Sequence, residues 1–462
     1  MTIIRRTLIT YTLLLLFSLN AQSQYLEHQG QPYYISGANI AWNQFGWDFG
    51  QHPVWGVGYD STWFENAFSE LQTFGANTAR IWIHCDGRGN PEFTPDGHVS
   101  GLDTNFFSHL DDLIQRAENH NLLLILCLWS FDLTKDYRDI AGPFAGLHAD
   151  LITDSLKTQS YIDNALIPII QRYQNACNIL AWEVINEPEW SCQLPRAGHT
   201  QQTVPIQDMQ RFVGMCAIAI HQHTDIPVTI GSTSFKWHSP TDNRMYWDDQ
   251  QLCYQTGNHP LAYLDFYSVH YYDWMSDKYT PYVHHASHWQ LNKPILLTEV
   301  PSEAPNSLEF SVEEQIQTAF QNEYSGLLFW SYKGGDGAGE WQYFQNQLLE
   351  FKNTHPHLIE LSHDCSQTPF SSPTFESIPS NFILPSPLPI NSPIQLTYDS
   401  PCQASPLLEI FTTNGQRVFE TRLNVQNGSN SWEFSNLSLP RGLYFIQLQT
   451  HPTPTTRKLL IY

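Results

Sequence analysis

The chain has 462 residues, enough for one large domain plus a small one, and its 45 acidic against 22 basic side chains give a formal net charge of -23. A surface that negative repels polyanions, which excludes nucleic acid and acidic membranes as partners and leaves neutral polymers open. Aromatics reach 14% of residues, with 15 Trp and 22 Tyr; such rings suit sugar faces, although most of them fill cores.

Residues 1–24 read as a secretory signal. Arg5 and Arg6 precede an apolar run from Leu8 to Leu19, and small or polar residues follow, placing cleavage between Ala21 and Gln24. The run is short for a bilayer and no other segment approaches spanning length, so no integral membrane segment is expected in the mature chain. All 8 Cys lie beyond the signal, in a compartment that permits disulfides. Cys85 and Cys127 sit inside apolar runs and read as core residues. Cys192 with Cys253 is the expected disulfide, and Cys365 with Cys402 would staple a late linker.

Residues 25–354 alternate apolar strand-like runs with amphipathic stretches. The runs are 34–42, 78–85, 122–129, 179–187, 228–233, 265–272, 294–300 and 326–332. Between them, segments such as "STWFENAFSELQTF" and "NFFSHLDDLIQRAENH" repeat apolar residues at three- and four-residue steps, as helices packed on a sheet require. Eight such units predict an α/β fold, a closed (β/α)8 TIM barrel. A doubly wound open sheet is the rival, but no glycine-rich phosphate loop follows the first strand. Residues 355–385 are rich in Pro and Ser and read as a linker. Residues 386–462 contain short alternating runs, with Asn414-Gly415 as a hairpin signal, and predict a small β-sandwich.

Barrel enzymes carry their chemistry at the C-terminal ends of strands. Those ends hold Trp42, Arg80, Trp82, Trp129, Asn186-Glu187, Ser232, His270, Tyr272, Glu299 and Trp330. Glu187 and Glu299 close the fourth and seventh strands, which lie three positions apart in a ring of eight, so the two carboxyls can face each other across the mouth. Such a pair suits glycosidic cleavage, with one group protonating the leaving oxygen while the other attacks or activates water. Arg80 and Tyr272 are placed to keep Glu299 ionised. Glu183 shares a strand face with Glu187 and is expected to pair with an inward arginine, Arg80 or Arg172. Trp42, Trp82 and Trp129 divide between core and sugar platform; Trp330 reads as a platform. The 20 His are scattered without HExxH, and "VHHASH" (283–288) reads as a helix face, so neither metal nor cofactor is implied.

Asn186-Glu187-Pro188 resembles the Asn-Glu-Pro signature of glycoside hydrolase family 5, in the clan of retaining (β/α)8 glycosidases. Arg80, the His270-x-Tyr272 pair, Glu299 and Trp330 follow the same order, so the resemblance spans about residues 30–350. It implies Glu187 as acid/base, Glu299 as nucleophile and Asn186 at the substrate 2-hydroxyl. It also implies Arg80 and Tyr272 on the nucleophile, His270 orienting the acid/base, and Trp330 as a subsite floor. "ARIWIHCDG" and "AWEVINEPEW" look closest to the β-mannanase branch, whereas Trp129 stands where many family 5 cellulases place a His. Glu299 is followed by Val300-Pro301 in place of the common aromatic-Gly. The expected activity is therefore a retaining endo-β-1,4-mannanase acting on a polysaccharide. Cellulase or xylanase is the alternative, and a non-catalytic glycan-binding protein is the rival from another class. "LLEIFTTNGQRVFE" and "LPRGLYFIQLQT" with a basic end resemble the type IX secretion sorting domain, implying that export machinery as a partner and a secreted or surface-attached protein; separately, a monomer is expected. A carbohydrate-binding module is the rival there, with Trp432 as its sole Trp.

Overall fold

The computed structural model describes residues 25–195, 197–240, 244–272, 275, 277–302 and 310–361, then 382–384, 388–390, 392–400, 406–413, 415–426, 428–435, 437, 439–449 and 455–461. The signal segment, Asn414, Cys365 and Cys402 lie outside the described residues.

Eight parallel strands close into a barrel in the order predicted. They are β1 (Ile35–Ala41), β2 (Thr78–Cys85), β3 (Leu123–Ser130), β4 (Ile179–Asn186), β5 (Val228–Ser232), β6 (Tyr267–His270), β7 (Ile295–Pro301) and β8 (Gly326–Trp330). Every residue in them is buried, because one face lines the barrel interior and the other meets helices. That is why the sequence reads as continuous apolar runs without alternation. Helix α1 (Ser61–Thr73) starts where Asp60 accepts hydrogen bonds from the backbone N–H groups of Thr62 and Trp63, and buries Phe64, Ala67, Phe68 and Leu71. Helix α2 (Phe106–Asn119) turns Leu110, Leu113, Ile114 and Ala117 inward in the same way.

The interior is layered. Near the N-terminal ends of the strands Ile35, Leu123, Ile125, Leu180, Leu296 and Leu328 form an apolar plug. Above it the inward positions turn polar, with Asn39, Arg80, Glu183, His270 and Glu299 all buried. The plug therefore seals the polar layer from below and leaves the mouth as its route to water.

Three expectations are corrected. Cys192 is a free buried thiol, whereas Cys177 and Cys253 are each disulfide-bonded, so the expected Cys192–Cys253 pair does not form. The chain also stays on the barrel past residue 354. A short helix, Pro356–Ile359, follows, and the Leu358 and Ile359 carbonyls accept hydrogen bonds from Tyr34 N–H and the Asn77 side chain. Finally, "VHHASH" is no helix face: only a 3-10 turn, Ala286–Trp289, forms there, with His284 and His288 stacked at 4.1 Å.

The C-terminal region is all β. A three-stranded sheet pairs β9 (Phe382–Ile383), β10 (Ile394–Ser400) and β13 (Gly428–Phe434). A four-stranded sheet runs β12 (Arg417–Arg422), β11 (Leu407–Thr412), β14 (Gly442–Gln449) and β15 (Thr455–Ile461). Leu396 from one sheet and Leu408, Ile446 and Leu459 from the other share one core. The turn joining β11 to β12 places Gly415 at φ 82°, a left-handed conformation glycine adopts without penalty.

His84 and His238 are fully buried, and burial pulls each down from 6.5 to about 3. Folded pKa values below the unfolded ones mean stability that is complete above pH 6.5 and declines as pH falls towards 3. Calorimetry from pH 7 to pH 4 should show the barrel melting temperature dropping by roughly 5 °C or more.

Candidate active site

The polar layer is organised around Arg80. Its guanidinium donates from Nε and Nη2 to the two oxygens of Glu183, at 2.7 and 2.5 Å. Nη1 donates to Glu299 at 2.6 Å and to Asn39 Oδ1 at 2.8 Å, and Nη2 also reaches Asn186 Oδ1 at 2.7 Å. Burial lowers the arginine's pKa, but Glu183 and then Glu299 more than offset this and raise it well above its usual value. Arg80 is thus the inward partner expected for Glu183; the other candidate, Arg172, pairs with Asp111 at the surface.

The other end of Glu299 is held by Tyr272, whose hydroxyl donates to Oε2 at 2.8 Å. His270 Nδ1 lies 3.0 Å from Glu187 Oε1 and 3.4 Å from Glu299 Oε2, between the two carboxyls. Glu187 Oε2 accepts from Trp190 Nε1 at 2.9 Å. Glu187 sits just past β4 at φ 48°, a left-handed conformation rare for a residue with a side chain, and its N–H donates to the Gly231 carbonyl. The strained turn is what swings this carboxyl over the mouth.

Burial raises Glu187 from 4.5 to about 7, opposed first by the Trp190 hydrogen bond and then by Arg80. Burial also raises Glu299, opposed by His270, Arg80 and Tyr272. The two groups differ in contact: only Glu299 has a guanidinium against its oxygen. His270 is pulled down to about 4 by burial and is neutral at pH 7.

Glu187 and Glu299 line a cleft of about 810 Å³ with Asn186, Tyr272, Trp42 and Trp330. Trp42, Trp82 and Trp330 pack against one another at 5.0 to 5.8 Å to form one wall, and Trp330 Nε1 donates to Asp336. Trp129 is not part of it. Leu123, Ile125 and Cys127 follow the inward parity of β3, but the β2–β3 register shifts near Cys85, and Trp129 packs outward against His84 and Tyr161. It is a fully buried core residue.

Glu187, His270 and Glu299 offer ligand atoms within 4.8 Å of one another, the spacing of a metal set. Arg80 already supplies the positive charge there, and a divalent ion beside it would be repelled. Beyond the motif, the site also contains Asn39, Trp190 and Gly231. Asn39 is a polar residue inside an apolar strand, the same signal that exposed Arg80. Trp190 stands three residues after Glu187. Gly231 carries no such signal, yet a Cβ there would lie 2.5 Å from Glu183 Oε1 and 2.9 Å from His270 Nε2.

Mannan endo-1,4-beta-mannosidase of Mytilus edulis is 31% identical over 331 residues, covering 66% of this chain and 85% of that one. The chain belongs to the mannan endo-1,4-β-mannosidase family. The X-ray structure of beta-mannanase from Mytilus edulis superposes with TM-score 0.65 at 26% identity, covering 74% of this chain and 98% of that one. The endo-1,4-beta-mannanase from Eisenia fetida gives TM-score 0.62 at 29% identity, covering 74% and 95%. The enzyme is an O-glycosyl hydrolase of the family 5 type. Residues 386–462 match the secretion system C-terminal sorting domain, so the protein is exported, either secreted or attached to the cell surface.

Two substitutions probe the core of the site. Gly231→Ala should reduce kcat by at least about tenfold and stability by about 1–3 kcal/mol, because Glu183 and His270 must shift to admit the methyl group. Arg80→Ala leaves Glu183 and Glu299 buried without their cation and should destabilise by about 3–5 kcal/mol in urea unfolding.

Proposed function

We propose that the enzyme hydrolyses β-1,4-mannan internally by a retaining, two-step mechanism, with Glu187 as general acid and then base and Glu299 as nucleophile. The observation that carries this reading is the separation of the two carboxyls. Oxygens of Glu187 and Glu299 lie within 4.8 Å. Retaining glycosidases hold their pair about 5–5.5 Å apart, whereas inverting enzymes need about 6.5–9.5 Å to admit a water. That spacing leaves Glu299 room to attack the anomeric carbon directly.

Each neighbour has a consistent task. Arg80 and Tyr272 hold Glu299 as a carboxylate with its attacking oxygen fixed. Glu187, buried and free of a contacting cation, retains its proton near neutrality and delivers it to the leaving oxygen. Attack forms a glycosyl ester on Glu299 as the aglycone departs with that proton. Glu187, now ionised, takes a proton from water, which opens the ester and regenerates both groups. Neutral His270 positions Glu187, Arg80 fixes the Asn186 amide for the sugar 2-hydroxyl, and Trp330 with Trp42 forms the apolar wall for the ring. Mannan as substrate is supported by the mannanase relatives, and cellulose and xylan are the polymers to test against it.

We also take residues 1–24 as the export signal, the catalytic unit as extending to Leu361, and the enzyme as a monomer that engages the type IX secretion machinery through residues 386–462.

Reducing-sugar release should be highest on mannans and fall at least about a thousandfold in Glu299→Gln. Glu187→Ala should retain glycosylation by aryl glycosides whose leaving groups need no proton, and added azide should accelerate its turnover. Loss of those substrates together with the natural one would remove Glu187 from the acid role. The alkaline limb of kcat/KM should fall near pH 7, where Glu187 loses its proton.

A further inference from the structure

Outside the cleft, one aromatic side chain is both exposed and rigidly held. Trp55 is 40% exposed between Val54 and Val57, which are 72% and 55% exposed. It lies on the loop from β1 to α1, in a turn made by the short paired segments Gln51–His52 and Gly56–Val57. Its ring stacks on His52 at 4.0 Å with a 12° interplanar angle and meets Trp47 edge-on at 4.5 Å. His52 Nδ1 accepts the backbone N–H groups of Val54 and Trp55, and its Nε2 donates to the Ala141 carbonyl at 2.8 Å. Burial lowers the pKa of His52, so this neutral tautomer persists. A ring held by His52 and Trp47 that is still 40% exposed is unusual for a core residue. Such an arrangement fits a preorganised platform.

The ring is also continuous with the cleft. From Trp330, contacts run to Trp42 at 5.7 Å and to Phe45 at 5.0 Å. Arg88 then bridges Phe45 to Trp55, its guanidinium carbon 4.8 Å from one ring centre and 5.9 Å from the other. Arg88 is fixed by a bidentate pair with buried Asp86 and, like Phe45, lines the cleft. Glycines allow the two loops to approach this closely. A Cβ on Gly89 would lie 2.6 Å from the Gly46 carbonyl oxygen, and one on Gly46 would meet Arg88 at 2.9 Å.

We propose that Trp55, backed by Trp47 and His52, is a distal subsite that stacks on sugar rings of the polysaccharide remote from the cleaved bond, so that the enzyme favours long chains over short ones. The proposal rests on the glycanase reading above and adds to it an extended substrate path. Because stacking is made by sugars that do not react, it should appear as affinity for long substrates and leave short ones unaffected.

The test uses the full enzyme carrying Glu187→Gln, so that ligands are bound without turnover, with and without Trp55→Ala. Calorimetric titration is run with mannotriose and mannohexaose, and affinity electrophoresis in gels containing soluble galactomannan. Trp55→Ala should weaken hexaose and polymer binding by roughly three- to tenfold while the triose is unchanged. Trp55→Phe, which keeps a ring on His52, should retain most of the affinity. Equal losses for triose and hexaose would make Trp55 a structural residue, and unchanged hexaose and polymer binding would remove the subsite; either result overturns the proposal. If the wild-type enzyme cleaves another β-1,4-glycan and not mannan, the mannan reading fails separately. Oligosaccharides of that glycan then serve in the same titrations.

Discussion

A single buried cation governs this active site. Arg80 lies at the centre of the barrel, fully out of water, with Glu183 on one side and Glu299 on the other. A guanidinium in that position is tolerable only if its donors are matched by acceptors. Asn39 and Asn186 complete the set, so residues from β1, β2, β4 and β7 are tied to one charge. Glu183 is fully buried and does not line the cleft. Its bidentate contact fixes the plane of Arg80, and through Arg80 the position of the Glu299 oxygen that Arg80 touches.

The division of labour proposed for these two like groups follows from that placement. Both carboxyls are buried, so both are pushed towards the neutral form. Like charges this close resist being ionised together, and whichever oxygen touches the cation loses its proton first. Glu299 touches it and Glu187 does not. The left-handed turn at Glu187 and the hydrogen bond from Trp190 hold its carboxyl over the cleft. The fold contributes the apolar plug beneath, which keeps the layer dry and the interactions strong.

Much of this was legible in the sequence because a parallel barrel writes its strands as apolar runs, and polar residues within them stand out. Asn186, Glu187, Arg80, His270 and Glu299 were found that way, and Glu183 by parity with Glu187. Trp129, which the sequence left divided between core and platform, belongs to the core and packs against His84 and Tyr161. Gly231 was invisible, because its function is to provide space for its neighbours. The disulfide expectation misfired for a related reason: Cys192 follows a polar motif in a loop-like stretch, but its turn folds inward and buries the thiol. The cleft wall beyond the motif, including Phe45 and Arg88, depends on loops whose conformations follow from tertiary contacts.

The claim on which the rest stands is that Arg80 sets the order in which the two carboxyls lose their protons. It is tested most directly by carbon NMR of enzyme labelled at glutamate side-chain carboxyls, titrated from pH 4 to pH 9 and assigned with Glu187→Gln and Glu299→Gln. The account predicts that Glu299 ionises first and that Glu187 follows near pH 7. A Glu187 resonance that titrates below that of Glu299 would contradict it.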